Sequence, residues 1–374
     1  MLFTQKDLRT AYTLLLKRGQ HKVFTPQAFQ GNVAGLICPQ QQSLLSVGSD
    51  GFTTRQLANN PDLFFNEIER LLNQCEPGTD IPRLNFKKYL VVEKFNQVNK
   101  MRKIVKLCLR DQVIMRVVLK KLMDMNIVCG DYNPTVNVLD LVTGIHQDMR
   151  SRTGKYNIIR TDIQNFYPSV NIDLLLHHFK ENCCTDPETM GIYHLLRKAL
   201  RDNKSQQDYT GLPVGMCVST LLGEYYFMMA GLHQLPDGIK LYRFADDCLF
   251  ILEEGIDAQL FLDNLKQKLI SFNLLCSATK TFIVEKGMPI DFIGVHFENG
   301  IVSIDEAKKR KTAERIKTDI EKEFKYFRLL KSNRPEYKMP ENKAIVRRVL
   351  KEHQNGTRSR MTQHAKKIEL LNEL

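Results

Sequence analysis

Two apolar runs enclose the most highly charged turn of the chain. Leu241-Tyr242-Arg243-Phe244-Ala245 leads into Asp246-Asp247, and Cys248-Leu249-Phe250-Ile251-Leu252 follows at once, which predicts two short buried strands joined by a tight turn with both carboxylates at its tip. Upstream, the β-branched run from Tyr156 to Ile163 predicts a strand that ends on Asp162. Tyr89 to Val92 and Ile104 to Leu109 flank the polar stretch Asn96 to Lys100 and predict a hairpin. Helical spacing predicts helices near Gln5 to Lys17, from Pro61 through Leu71, over Asn137 to Arg150, Ile172 to Lys180, Glu188 to Arg201 and Asp257 to Ile270, with another through Val218, Leu221, Leu222, Tyr225 and Tyr226. Leu274 to Val284 is expected to return as a strand carrying Lys280. Asp291 to Phe297 and Ile301 to Ile304 are expected to pair about Glu298-Asn299-Gly300.

After Gly300 the pattern turns helical. Ile316, Ile320, Phe324, Phe327 and Leu330 form one apolar stripe led by Lys308, Lys309, Arg310 and Lys311, and two more helices are expected over Glu341 to Glu352 and Met361 to Leu371. The whole reads as an α+β chain in three parts. Residues 1–85 form an N-terminal helical extension, 86–300 a sheet-containing body, and 301–374 a basic helical bundle.

Two carboxylates about 4 Å apart repel by roughly 4 kcal/mol at an effective dielectric near 20. An apolar hairpin therefore presents Asp246 and Asp247 together only opposite something cationic, unless the pair is an ordinary solvated turn, which aspartate also favours. Asp162 separates these readings. A carboxylate at the end of one strand beside a pair at a neighbouring hairpin is an arrangement that holds two Mg²⁺ ions and leaves room for substrate phosphates.

Composition narrows the partner. The 374 residues carry a net charge of +12 with a pI near 9.2, and 43% of them are hydrophobic, enough for a sizeable core and suited to a polyanion. Residues 301–374 contribute +9 and 91–121 contribute +7, so two basic regions flank a body that is net acidic. The nine cysteines include no Cys-x-x-Cys pair, and those in apolar runs, such as Cys108, Cys129, Cys217 and Cys248, read as reduced core residues of a cytoplasmic protein. Met1 to Gln20 contains Lys6, Asp7 and Arg9, unlike a signal peptide, and no 18-residue apolar run crosses a membrane.

Taken together the motifs resemble the palm of reverse transcriptases. Asp162 followed by Phe166-Tyr167-Pro168-Ser169 looks like their motif A, Gly211-Leu212-Pro213-Val214-Gly215 with the small residue Ser219 like motif B, and Phe244-Ala245-Asp246-Asp247 like motif C, with Phe in place of the usual Tyr. Lys280 resembles the lysine of motif D. Lys100 and Arg102 resemble the Lys-x-Arg of the fingers, although the proline common in that strand is missing, and Asp291 to Ile304 looks like the primer grip.

The resemblance implies a right-hand polymerase with fingers, an antiparallel palm sheet backed by helices, and a helical thumb. It implies an RNA-directed DNA polymerase that uses Mg²⁺, with Mn²⁺ as a substitute. Asp162, Asp246, Asp247 and Lys280 are its catalytic residues, and Asp162, Ile163, Asp246 and Asp247 bind the metal. Tyr167 would exclude a 2′-hydroxyl, Arg102, Lys100 and Lys103 would meet the triphosphate, and Gly215 and Ser219 would face the template and nucleotide. The partners implied are an RNA template or non-coding RNA, the DNA product and dNTPs, without a membrane and with an oligomer open.

The chain resembles the short bacterial enzymes of retrons and antiphage defence. Its one Val-Thr-Gly, Val142 to Gly144, lies upstream of motif A rather than in the thumb, where retrons carry it, which favours the defence type. Also, the 74 residues after Gly300 have no acidic strand set for a ribonuclease H and no Cys/His cluster for an HNH nuclease. A polymerase-like RNA-binding scaffold, or an enzyme of untemplated or protein-primed synthesis, is the alternative.

Overall fold

The computed structural model describes residues 3–20, 61–73, 86, 90–95, 101–128, 138–201 and 210–304. The basic bundle expected after residue 304, the Gly31 to Gly51 loop and Lys100 lie outside the described residues. Within them the elements are α1 (Gln5–Gln20), α2 (Pro61–Leu72), β1 (Leu90–Phe95), β2 (Met101–Lys106), α3 (Leu109–Asp124), α4 (Val138–Ser151) and β3 (Tyr156–Asp162). They continue as α5 (Phe166–Ser169), α6 (Ile172–Cys183), α7 (Pro187–Leu200), α8 (Ser219–Met229), β4 (Ile239–Phe244), β5 (Asp247–Glu253) and α9 (Ala258–Ser271). The last are β6 (Phe282–Glu285), β7 (Ile290–Phe292), β8 (Val295–Glu298) and β9 (Ile301–Ile304).

The central sheet is antiparallel, in the order β4-β5-β3-β6. β5 is buried at every position from Cys248 to Leu252, because its continuous apolar run gives both faces something to bury. Alternation then splits the sheet between two cores. Ile159, Cys248, Phe250 and Leu252 join the larger core, built with apolar faces of α3, α6, α7, α8 and α9 and extended through α3 to Leu8, Phe65 and Ile68 of α1 and α2. Ile158, Leu249, Ile251 and Tyr242 face the other way, onto Val142 and Ile145 of α4 and onto Phe292, Val295 and Phe297.

The Val142-Thr143-Gly144 tripeptide has a packing role. Gly144 presents no side chain to the Tyr242 ring, which a Cβ there would meet at 3.3 Å, and the Tyr242 hydroxyl donates to the Gly144 carbonyl at 2.9 Å. Just beyond the end of α4 the Lys286 ammonium donates to the carbonyls of Arg152, Thr153 and Gly154 at 2.9, 3.2 and 3.0 Å, pinning the turn that leads into β3.

Two sequence expectations are corrected. Asp291 to Phe297 is not one strand: the chain reverses at Ile293 (φ 46°) and Gly294 (φ 78°), so β7, β8 and β9 form a three-stranded sheet. Lys280 lies in the turn ahead of β6 rather than in a strand. The described cysteines, by contrast, are free thiols as expected, and burial pushes Cys108 and Cys248 up to about 12. Among the described residues no helix is long and apolar enough to cross a membrane.

Leu249 is fully buried at the centre of the second core, so Leu249→Ala is expected to cost about 2–5 kcal/mol. Denaturant unfolding of the purified chain checks this; a loss under about 1 kcal/mol would mean that the two-core division is wrong.

Candidate active site

The register of the sheet brings the carboxylates together. Asp162 ends β3 and stands directly opposite Asp247, the first residue of β5, so both side chains lie on the sheet face that, farther along, carries Ile158 and Leu249. Arg160, two residues before Asp162, shares that face, and its guanidinium lies 3.7 Å from Asp247 Oδ1. Phe244 and Asp247 pair across the β4–β5 hairpin, which leaves Ala245 and Asp246 as its two-residue loop. Asp162 is 12% exposed and Asp247 25% exposed at the side chain.

That loop is strained and then tied down. Ala245 has φ 55°, a left-handed conformation that costs a non-glycine residue about 1–2 kcal/mol. The Arg243 guanidinium donates to the Ala245 carbonyl at 2.8 Å and pairs with Glu224 of α8. It also lies over the Phe227 ring, 4.5 Å from its centroid. The next carbonyl, of Asp246, accepts the Ile163 amide at 3.1 Å. Ile163 is itself buried, so any ligand it offers is its backbone oxygen.

A third cation completes the site. Lys280 Nζ donates to Asp162 Oδ2 at 2.7 Å while its side chain remains half exposed. Extending β6 backward by its register with β3, in which Phe282 pairs with Arg160, puts Lys280 level with Asp162. Burial, with the charges of Asp162 and Asp246, raises the Asp247 carboxyl above its ordinary range, and Arg160 and Lys280 only partly oppose this. Asp247 Oδ1 is buried without a hydrogen-bond partner.

Motif B is held from both sides. Val105 of β2 donates its amide to the Val214 carbonyl at 2.7 Å, and Leu212 donates to the Tyr167 carbonyl at 2.8 Å. Gly211 (φ 71°) would place a Cβ 2.2 Å from the Tyr167 carbonyl oxygen, and Gly215 (φ 104°) one 2.7 Å from that of Val105. The close approach at Gly215 is thus to the β2 backbone. Ser219 is corrected: it does not face the same way as the exposed Gly215, but is buried with its hydroxyl donating to the Pro213 carbonyl at 2.7 Å.

Tyr167 is half-buried, edge-on to Phe166 with centroids 5.2 Å apart. Burial raises the pKa of its hydroxyl, and the nearby Thr220 side chain partly opposes this. Arg102 lies in β2 opposite Lys94, and Lys103 is exposed on the same strand. Sequence reasoning missed Arg160, Arg243, Glu224, Thr220 and Gly223. Arg160 alone had a legible signal, the two-residue spacing that puts it on the face of Asp162.

Residues 92–297 match the profile of the family described as reverse transcriptase (RNA-dependent DNA polymerase). The chain belongs to this family. Such enzymes are nucleotidyltransferases, and the reverse transcriptase joins helices to the antiparallel palm sheet described above. Among solved structures, apo telomerase from Candida tropicalis is similar at 15% identity and a TM-score of 0.42, over 68% of this chain and 53% of that one. The form truncated from the C-terminal domain is similar at 15% and 0.41, over 70% and 63%. Telomerase from Candida albicans in complex with the TWJ fragment of telomeric RNA is similar at 15% and 0.39, over 52% and 37%. The chain thus covers less than two thirds of each. Comparison with curated proteins finds no match.

Because the Asp247 pKa is raised, the folded protein binds its proton more tightly than the unfolded chain does. Stability is therefore lost as pH rises from the unfolded value through the folded one. Asp247→Asn should raise the melting temperature of the metal-free protein at pH 7 and raise it less at pH 4; an equal gain at both would show that charge is not the cause.

Proposed function

We propose that this reverse transcriptase polymerises dNTPs on RNA with Asp162, Asp246 and Asp247 as the seat of two divalent cations, Mg²⁺ by preference and Mn²⁺ as a substitute. The supporting observation is the direct opposition of Asp162 and Asp247, with a buried Asp247 oxygen that no hydrogen bond satisfies. Among the described residues no three carboxylate, imidazole or thiolate side chains converge as a ready-made cage. Mg²⁺ binds through one or two carboxylates together with substrate phosphates, so the site would be completed by the nucleotide. When bound, the ions would activate the primer 3′-hydroxyl and steady the departing pyrophosphate.

The chain's own residues supply the rest. Lys280, half exposed beside Asp162, is placed to give a proton to the leaving pyrophosphate. Arg160 offsets the charge of Asp247, and Arg243 fixes the turn that carries Asp246. Tyr167 presents its ring to the sugar and excludes a 2′-hydroxyl. Arg102, with Lys100 and Lys103, meets the triphosphate, Gly215 lies near the template, and the Ile163 carbonyl joins the metal site. The motif resemblance further supports a bacterial, cytoplasmic, defence-associated enzyme working with a non-coding RNA, in which the Lys308 to Lys311 run grips the duplex.

Asp162→Asn and Asp246→Asn should each reduce Mg²⁺-dependent DNA synthesis by about 10²-fold or more, since one lost electrostatic contact at developing charge typically costs that much. Circular dichroism should show both variants folded. Labelled dNTPs supplied with and without nuclease-treated RNA check templating, and a rate within about tenfold of wild type would overturn the assignment.

Tyr167→Ala should raise ribonucleotide incorporation relative to deoxynucleotide by more than it changes the overall rate, because a clash acts only on the wrong substrate. Competition between the two nucleotides measures this.

A further inference from the structure

Gly223 stands in the middle of α8 and is buried. A glycine there costs the helix about 1 kcal/mol relative to alanine, so local propensity does not account for it. Packing does. A Cβ at residue 223 would lie 3.0 Å from Phe166 Cε1, 3.5 Å from Phe166 Cζ and 3.5 Å from Tyr167 Cε1.

The two rings are wedged against one face of the helix. Phe166 stacks on Phe227 at 4.4 Å, four residues beyond Gly223, and meets Tyr167 edge-on. Thr220, three residues before Gly223 and on the same helix face, is exposed, and its side chain lowers the Tyr167 pKa against the effect of burial. The Tyr167 main chain is fixed separately, by the Leu212 amide at 2.8 Å and by Gly211 packed against its carbonyl. Freedom to shift is therefore left to the ring, and α8 limits it.

We propose that Gly223 and Thr220 are positioning residues that set how far the Tyr167 ring stands from α8, and thereby how strictly the enzyme prefers deoxynucleotides to ribonucleotides. The inference rests on the reading of Tyr167 as the sugar-facing residue. A methyl at 223 crowds Phe166, which must give way, while it only touches Tyr167; Phe166 meets Tyr167 edge-on and passes its shift to that ring. Loss of the Thr220 hydroxyl removes its influence on the Tyr167 hydroxyl.

The test compares Gly223→Ala, Thr220→Val, Thr220→Ser and Tyr167→Ala in the full chain, measuring kcat and KM for one dNTP and its rNTP on a defined RNA template and primer. Gly223→Ala should raise KM for the dNTP proportionally more than it lowers kcat, and shift the dNTP-to-rNTP selectivity by roughly tenfold, the scale of one methyl in a packed pocket. Thr220→Val should lower selectivity, and Thr220→Ser should restore it, a rescue that a merely structural role would not give.

If Gly223→Ala and Thr220→Val both keep wild-type selectivity while Tyr167→Ala changes it, this inference is overturned and the role of Tyr167 stands. Unchanged selectivity in Tyr167→Ala would remove that role and this inference with it. Should Gly223→Ala fail to fold, the Thr220 pair decides alone: loss with valine and recovery with serine supports the inference, and equal selectivity in both overturns it.

Discussion

Repulsion between carboxylates brought to one end of a sheet is the constraint around which this molecule is built. Antiparallel register fixes Asp162 opposite Asp247, and the two-residue turn adds Asp246 beside them. Without compensation such a cluster would force protonation or open the hairpin. The compensation is local: Arg160 lies on the same face, and Lys280 arrives from the turn before β6. Burial, together with repulsion that these cations relieve only in part, keeps the Asp247 carboxyl raised.

Rigidity around the cluster comes from a sheet buried on both sides. One face of β3 and β5 is sealed by the helical core and the other by α4 and the three-stranded sheet. Asp162 is buried at the end of β3, while Phe244 and Ala245 of the neighbouring turn are exposed. In that turn the strained Ala245 is retained because Arg243 and Ile163 bind the two loop carbonyls. Strain of this kind persists where the surroundings over-determine it, and here α8 supplies the anchor through Glu224 and Phe227.

Much of this was legible in the sequence, for definable reasons. Continuous apolar runs gave β4 and β5, and their interruption by two aspartates gave the turn, because nothing in a buried hairpin explains paired charges. Most helix positions among the described residues followed from spacing, with ends within a few residues of those observed, but α3 did not: its first residue, Leu109, falls at the end of the apolar run that predicts the preceding strand. What escaped depended on distant partners. Ile293 takes a left-handed conformation that a β-branched residue rarely adopts, so the apolar pattern gave no sign of the reversal between β7 and β8. The inward turn of Ser219 depends on where α8 begins and on the Pro213 carbonyl beneath it. The neighbour of Gly215 is a strand more than a hundred residues earlier, which no local pattern encodes.

The motif B loop joins two parts of the molecule that are otherwise separate in the chain. Val214 is hydrogen-bonded to β2, Leu212 to Tyr167, and the two contacts are two residues apart. Gly211 and Gly215 press the loop against both partners without a side chain between. A rotation of the β1–β2 hairpin must therefore either break these bonds or drag the loop, and through it the backbone of Tyr167. The loop is in effect a connecting rod, so the position of the basic hairpin and the position of Tyr167 vary together.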